Sequence, residues 1–233
     1  MNQILVADRL YVTNKLKKKK KRYKIQFIAS LILVFVFSGW YIYTEFDKNA
    51  SEAVSQDMLK DISSQLHGDG TQSDEPLMVA VNDSEIADDG ENVLDGSYTD
   101  NTGYTYNYES VLSIPSLNIE YPVLSETTEE LLKISLNKFW GGSPNSVGNY
   151  CVVGHNYKSG KMFGKLSMIK NGDTVKLTDL SGNTVDYQVY NMYVVDPDDV
   201  ACTSQIKNGL KEMTLITCTN AGKQRLVVKC REV

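Results

Sequence analysis

EMTLITC, residues 212–218, is the stretch from which the fold of this chain can be worked out. It is rich in apolar and β-branched residues and ends on a cysteine, which small polar residues follow. RLVVKC, residues 225–230, comes after a short turn and has a similar composition. Two such runs separated by a turn favour neighbouring β-strands. We therefore predict one strand that ends at Cys218 and a second strand that begins at Arg225.

Similar runs recur along the second half of the chain. They are YPVL (121–124), NYCVVG (149–154), DTVKLTD (173–179) and TVDYQVYNMYVVD (184–196). The turn-forming segments NGD, SGN and NAG punctuate them, and only TEELLKISLNKF and CTSQIKNGLK look helical. Many short strands separated by turns favour a closed or nearly closed β-barrel. The pattern predicts a mainly β domain over residues 109–233, with short helices.

The N-terminal part has the pattern of a membrane anchor. Residues 1–24 contain nine Lys and Arg against one acid, and residues 25–43 form a run of nineteen residues without a charge. A membrane-spanning helix needs roughly 20 apolar residues, and a basic flank marks the cytoplasmic side. We predict a cytoplasmic tail (1–24), an uncleaved transmembrane signal anchor (25–43) and an extracellular remainder. A cleaved signal peptide is the alternative, although this run is longer than usual for one. Nucleic-acid binding by the basic run is disfavoured because the run abuts the span.

Residues 44–108 are predicted to be an acidic extracellular stalk. Residues 45–110 contain sixteen acids and two bases, and a segment so poor in apolar periodicity cannot bury enough surface to fold alone. Within it, Val54, Met58, Ile62 and Leu66 recur at helical spacing, which permits a short helix. The tyrosines of YTDNTGYTYNY (98–108) are compatible with an edge strand, a docking segment or the end of a linker.

One cysteine, one histidine and one arginine stand at the ends of predicted strands. They are Cys218, His155 and Arg225, and catalytic side chains favour such positions because a rigid scaffold aims them. The only other histidine, His67, lies in the acidic stalk and is interpreted as a solvated bystander. A single well-placed histidine cannot build a usual zinc site, so we predict neither a metal nor a cofactor.

The other three cysteines have different surroundings. Cys151 and Cys230 lie within apolar strands and are predicted to act as small buried hydrophobes, with a disulfide between them as the alternative. Cys202 lies in the connection PDDVACTSQ and cannot be assigned from the sequence.

Together these segments resemble the sortases, the extracellular cysteine transpeptidases of Gram-positive bacteria. TLITC resembles the TLxTC signature of the family, GNYCVVGHN the segment that carries its histidine, and RLVVK its arginine-led final strand. SIPSLNIEYPVL is similar to the paired opening strands of the sortase barrel. The resemblance extends over nearly all of residues 111–233, and the N-terminal anchor and acidic stalk fit the layout of the family.

The resemblance implies a role for each site residue. Cys218 is the expected nucleophile, His155 the general acid/base and Arg225 the electrostatic partner, and Thr217 is expected to line the groove for the sorting peptide. The implied partners are surface proteins with an LPxTG-like C-terminal signal, cleaved between Thr and Gly through a thioester acyl-enzyme. The implied acceptor is an amine of a peptidoglycan precursor, or a pilin lysine.

Some features leave the subclass open. HNYKSGKMFGKL is most similar to class B sortases, but the connection before EMTLITC is too short for their helical insertion. No lid motif and no C-terminal span are evident, which disfavours the pilus-polymerising class. Glu126, Glu129 and Glu130 fit a solvated helix face better than a calcium site. The alternatives to a sortase are an L,D-transpeptidase, whose SHGC-type motif is absent, and an inactive membrane-tethered binding module.

Overall fold

The computed structural model describes residues 14–67 and 94–233. Residues 1–13 of the predicted cytoplasmic tail and residues 68–93 of the predicted stalk lie outside the described residues. The chain divides into two compact units, Met1–Lys48 and Asn49–Val233.

Helix α1 (Asn14–His67) contains the predicted membrane span. In the part of the chain that the structure describes, it is the one helix long and apolar enough to cross a membrane, with a mean hydropathy of 2.0 in its most apolar window. The apolar side chains of residues 25–43 are exposed in the protein itself, as Phe35 shows with 70% of its surface accessible. The helix is therefore a candidate membrane anchor.

After residues 49–67 of α1, the second unit contains nine strands and one short α-helix among its described residues. In chain order they are β1 (Ser97–Thr99), β2 (Thr105–Ile114), β3 (Ile119–Leu124), α2 (Leu131–Ile134), β4 (Leu136–Trp140), β5 (Gly148–Gly154), β6 (Thr174–Asp179), β7 (Thr184–Val195), β8 (Lys211–Thr219) and β9 (Gln224–Glu232). The strand order is β1-β2-β3-β4-β5-β8-β9-β7-β6, and β2 also pairs with β6. This last pairing closes strands β2 to β9 into an eight-stranded barrel, so the predicted fold is confirmed.

Side-chain alternation gives the barrel wall an inner and an outer face. On β8 and β9, Met213, Leu215, Val228 and Cys230 belong to the core cluster inside the barrel. Ile216 and Val227 belong to a separate small cluster, with Cys202 from the β7–β8 connection. The outer face of β8 and β9 is therefore partly covered by the connection between β7 and β8.

The alternation of side chains along the strands decides which face of the barrel wall each buried cysteine occupies. Cys151 and Cys230 are both fully buried, as predicted, and all four cysteines are free. Cys230 lies across from Met213 in the core, whereas Cys151 lies across from Thr214, the next residue along β8. Neighbouring residues of a strand point to opposite faces, so the two thiols face away from each other. The alternative of a Cys151–Cys230 disulfide is therefore wrong.

Both described parts of the predicted stalk, residues 44–67 and 94–108, contain regular secondary structure. Residues 49–67 of α1 pack on the barrel, with Met58 0% and Ile62 2% exposed, against Tyr106, Tyr108 and Leu124. The apolar stripe noticed in the sequence forms the predicted helix, and burying it against the aromatic side chains of β2 stabilises both elements. The compact unit thus begins at Asn49, and β2 begins at Thr105, before the predicted boundary at residue 109.

Replacing Met58 tests whether this helical segment is part of the folded unit. Met58→Ala is expected to lower the free energy of unfolding by about 2–5 kcal/mol, because it leaves a cavity in a fully buried cluster. Gln56→Ala, at an exposed position of the same helix, is the matched control and should leave stability nearly unchanged. Denaturant unfolding of the full chain in detergent measures both. Equal stability of the two variants would mean that the segment does not contribute to the fold.

Candidate active site

The register of three neighbouring strands brings the predicted catalytic residues to one end of the barrel wall. β5 and β8 are parallel, with Gly154 opposite Thr217, so the next residues along them are His155 and Cys218. β9 runs antiparallel to β8 and places Arg225 directly opposite Cys218. The histidine, the cysteine and the arginine therefore come from the ends of β5, β8 and β9 in lateral order.

His155 is half-buried at the start of the loop that follows β5. Its pKa is lowered from the ordinary value of histidine, first by burial and second by the positive charge of Lys133. Its ring lies 5.2 Å from the ring of Tyr157, centroid to centroid, and its carbonyl accepts a hydrogen bond from the backbone N–H of Phe163 at 3.0 Å. Both contacts fix the start of the loop. The lowered pKa favours the neutral imidazole near pH 7, the form that can accept a proton from a thiol.

Cys218 is the least buried of the four cysteines. It is partly accessible at the end of β8, whereas Cys151, Cys202 and Cys230 are buried. Burial raises the pKa of Cys151 and of Cys230 to about 12, so these two thiols remain protonated and unreactive near neutral pH. The backbone carbonyl of Cys218 accepts a hydrogen bond of 2.8 Å from the Asn156 side chain. This bond ties the residue after His155 to the cysteine itself.

Arg225 is held by the turn that joins β8 to β9. Its Nη1 donates to the carbonyl oxygens of Gly222 at 2.9 Å and Gln224 at 3.1 Å. Asn220, Ala221 and Gly222 all have positive φ, which lets the chain reverse within a few residues. Nε and Nη2 of Arg225 have no hydrogen-bond partner among the described residues, so these donors remain available to a ligand.

Thr217, the residue before Cys218, has a buried side chain. Its side chain is 1% exposed, and its hydroxyl donates to the carbonyl oxygen of Gly154 at 2.7 Å. Because successive residues of β8 alternate between faces, exposing Cys218 on the outer face turns Thr217 inward. The side chain of Thr217 therefore joins β5 to β8, and its contact with a sorting peptide stays a prediction.

A groove of about 670 Å³ opens on the neighbouring strand β4. Its lining includes Phe139 and Trp140, which are 45% and 60% exposed, together with Glu126 and Gln205. β4 pairs with β5 in antiparallel register, with Trp140 opposite Cys151, so the groove lies towards the start of β5 and away from the end that carries His155. Exposed aromatic side chains in a concave surface are typical of sites that take apolar or planar groups of a ligand.

Within residues 14–67 and 94–233, no three His, Cys, Asp or Glu side chains are grouped so as to hold a metal ion.

Lys133 offers a direct test of the electrostatics of His155. Lys133→Gln is expected to raise the pKa of His155 towards its ordinary value, because it removes a positive charge that disfavours the imidazolium. NMR titration in a His67→Gln background, where His155 is the sole histidine, measures the shift. Since Lys133 is exposed, added salt should weaken the effect. Lys158→Gln is the matched control at another exposed lysine, and identical titration curves for both variants would exclude this role of Lys133.

The sequence matches the family description of the sortase domain over residues 112–233, which is 122 of its 233 residues. The chain therefore belongs to the sortase family. It is 34% identical over 110 residues to Sortase A of Bacillus anthracis, which covers 47% of this chain and 51% of that protein. It is 29% identical over 108 residues to Sortase A of Listeria monocytogenes, with 46% and 47% covered. The chain thus spans about half the length of the curated relatives that it matches.

Solved structures agree with the fold. Sortase A from Corynebacterium diphtheriae is similar with a TM-score of 0.51 and 25% identity, over 55% of this chain and 61% of that one. A sortase D5 transpeptidase of Clostridium perfringens has a TM-score of 0.50 at 23% identity, over 55% of this chain and 79% of that one. These similarities confirm the sortase-type barrel.

Two residues near the site have roles that the sequence does not predict. Asn156 follows His155 directly, but nothing in the sequence shows that its amide reaches the carbonyl of Cys218. Lys133 acts on His155 from α2 and has no sequence signal at all. A polar residue beside a candidate catalytic histidine was the only available hint.

Proposed function

We propose that this protein is a cysteine transpeptidase that cleaves an LPxTG-like sorting signal between Thr and Gly and joins the new carboxyl end to an amine of the cell wall. One observation carries the proposal: Cys218, His155 and Arg225 share one end of three neighbouring strands, in a chain that belongs to the sortase family. The relatives named Sortase A support the assignment to protein sorting.

The arrangement can perform both halves of such a reaction. His155 takes the proton of the Cys218 thiol, and the resulting thiolate attacks the carbonyl carbon of the scissile peptide bond, so that the negative charge moves to the carbonyl oxygen. The unpaired guanidinium donors of Arg225, directly opposite Cys218 in the register, are suited to stabilise that oxyanion. His155 protonates the leaving amine, so that the C–N bond breaks and a thioester remains.

The second half reverses these roles. His155 takes a proton from the incoming amine, whose nitrogen attacks the thioester carbonyl. A new amide bond forms, and Cys218 leaves as the thiolate. The acceptor is proposed to be an amine of a peptidoglycan precursor.

Mass spectrometry of the protein incubated with a panel of LPxTG-like peptides tests the proposal. The expected result is a mass increase equal to the peptide up to and including its Thr, located on Cys218 and released by hydroxylamine. Peptides with the Thr–Gly order reversed are the control. Absence of any thioester with every peptide would contradict the proposed activity and favour a binding function.

The proposed location is the cell membrane, with the N-terminus in the cytoplasm and the catalytic unit outside. The basic residues before the apolar part of α1 support this orientation. Protease added to intact protoplasts should remove the catalytic unit and spare the N-terminus. Protection of the catalytic unit would contradict this topology.

A further inference from the structure

The loop that follows His155 needs support from outside itself. Residues 156–162 close on themselves through a bridge between Asn156 and Met162. Met162 is 1% exposed and has a φ of 49°, in the left-handed region that non-glycine residues rarely adopt. Such a conformation persists only where neighbouring groups hold it in place. The groups that hold Met162 therefore also set the position of the loop and of His155.

Tyr121 on β3 is one of those groups. Its side chain is 6% exposed and belongs to the same buried core cluster as Met162. Its hydroxyl donates a hydrogen bond to Oε1 of Glu52 at 2.7 Å. Burial, reinforced by the Glu52 carboxylate, raises the pKa of Tyr121 well above its ordinary value, so the hydroxyl keeps the proton that it donates. Glu52 belongs to residues 49–67 of α1, so this helical segment reaches Met162 through a single side chain.

The same helical segment makes two further contacts close to His155. Nζ of Lys161 donates to Oδ1 of Asn49 at 2.9 Å, which holds the loop at a second point. Oγ of Ser55 donates to Oγ of Ser135 at 3.2 Å in a buried contact. Ser135 follows α2 and comes two residues before Asn137, which is opposite Val153 in the antiparallel β4–β5 pair. The same register places Ser135 opposite His155.

We propose that residues 49–67 of α1 form a positioning element for His155, in which Glu52 and Tyr121 act as positioning residues through Met162. The helix next to the candidate membrane anchor is then part of the catalytic machinery and not a passive stalk. This inference rests on the proposed function insofar as His155 is the catalytic acid/base. It goes beyond that function by assigning a role to a segment that lies before the matched family domain, which begins at residue 112.

Variants of the full chain in detergent test the proposal. Glu52→Ala and Tyr121→Phe are each expected to lower kcat for peptide cleavage about tenfold with KM nearly unchanged, because a misplaced acid/base slows the chemical step. Glu52→Gln keeps an acceptor oxygen for Tyr121 and should retain most of kcat. Tyr190→Phe is the matched control, because it removes another hydrogen bond from a tyrosine to a glutamate, to Glu212 at 3.2 Å, on β7 and outside the helical segment.

Hydrogen–deuterium exchange provides a readout that does not depend on activity. Amides of residues 156–164 should exchange faster in Glu52→Ala and Tyr121→Phe than in the wild type, Glu52→Gln and Tyr190→Phe. Unchanged exchange in both variants, or a wild-type kcat in both, would overturn the proposal. If the wild type forms no thioester, the proposed function fails, and the exchange measurement alone then decides whether the helix supports the loop. Tyr121→Phe keeps the test decisive if Glu52→Ala does not fold.

Discussion

Cys218→Ala is expected to abolish thioester formation and peptide cleavage while leaving the protein folded. The thiol supplies the electron pair that attacks the peptide carbonyl, and alanine has no atom that can replace it. The cost in stability should be small, less than about 1 kcal/mol, because the side chain is partly exposed at a strand end. The hydrogen bond from the Asn156 side chain uses the backbone carbonyl of Cys218, which the variant retains. Mass spectrometry and thermal unfolding of the same sample measure both effects.

Cys230→Ala is the matched control and should show the opposite behaviour. Its side chain is 0% exposed and belongs to the core of the barrel, so truncation leaves a cavity and lowers stability. Its thiol faces away from the site, and chemistry per folded molecule should persist. If Cys218→Ala unfolded the domain, or cleaved peptides at the wild-type rate, Cys218 could not be the nucleophile.

His155→Ala is expected to reduce turnover by roughly 100- to 10,000-fold, the usual contribution of a general acid/base. The loss should appear in kcat, because the proton is needed by the leaving amine in the transition state and not for peptide binding. Stopped-flow measurement of leaving-amine release, at several pH values, provides the rate. In the pH–rate profile of the wild type, the limb that reports His155 should have an apparent pKa below the ordinary value of histidine. Burial and the charge of Lys133 both favour the neutral imidazole.

His67→Ala is the control for this prediction, since it removes the only other histidine of the chain. It should leave turnover unchanged. Equal losses in His67→Ala and His155→Ala would point to a general effect on the protein, and a wild-type rate in His155→Ala would remove His155 from the mechanism.

Local patterns were sufficient to predict the barrel and the candidate anchor. Runs of β-branched residues between turn signals correspond to strands because a strand's side-chain period and composition are local properties. The run over 25–43 is apolar enough to identify a candidate span without any tertiary information. The signature TLITC and the histidine segment also pointed to the family, and the match over residues 112–233 confirmed it.

Only the tertiary structure decided which residues meet and which face each one occupies. Asn156 and Cys218 are 62 positions apart, and the parallel pairing of β5 with β8 brings them into contact. Thr217 and Cys218 are adjacent in the sequence, yet the pleat of β8 turns the first inward and leaves the second accessible. Residues 49–67 have the acidic composition of a stalk, but the apolar side chains on one side of this helix pack against aromatic side chains of β2. Such a surface exists only after distant strands have paired, and no local pattern can therefore reveal it.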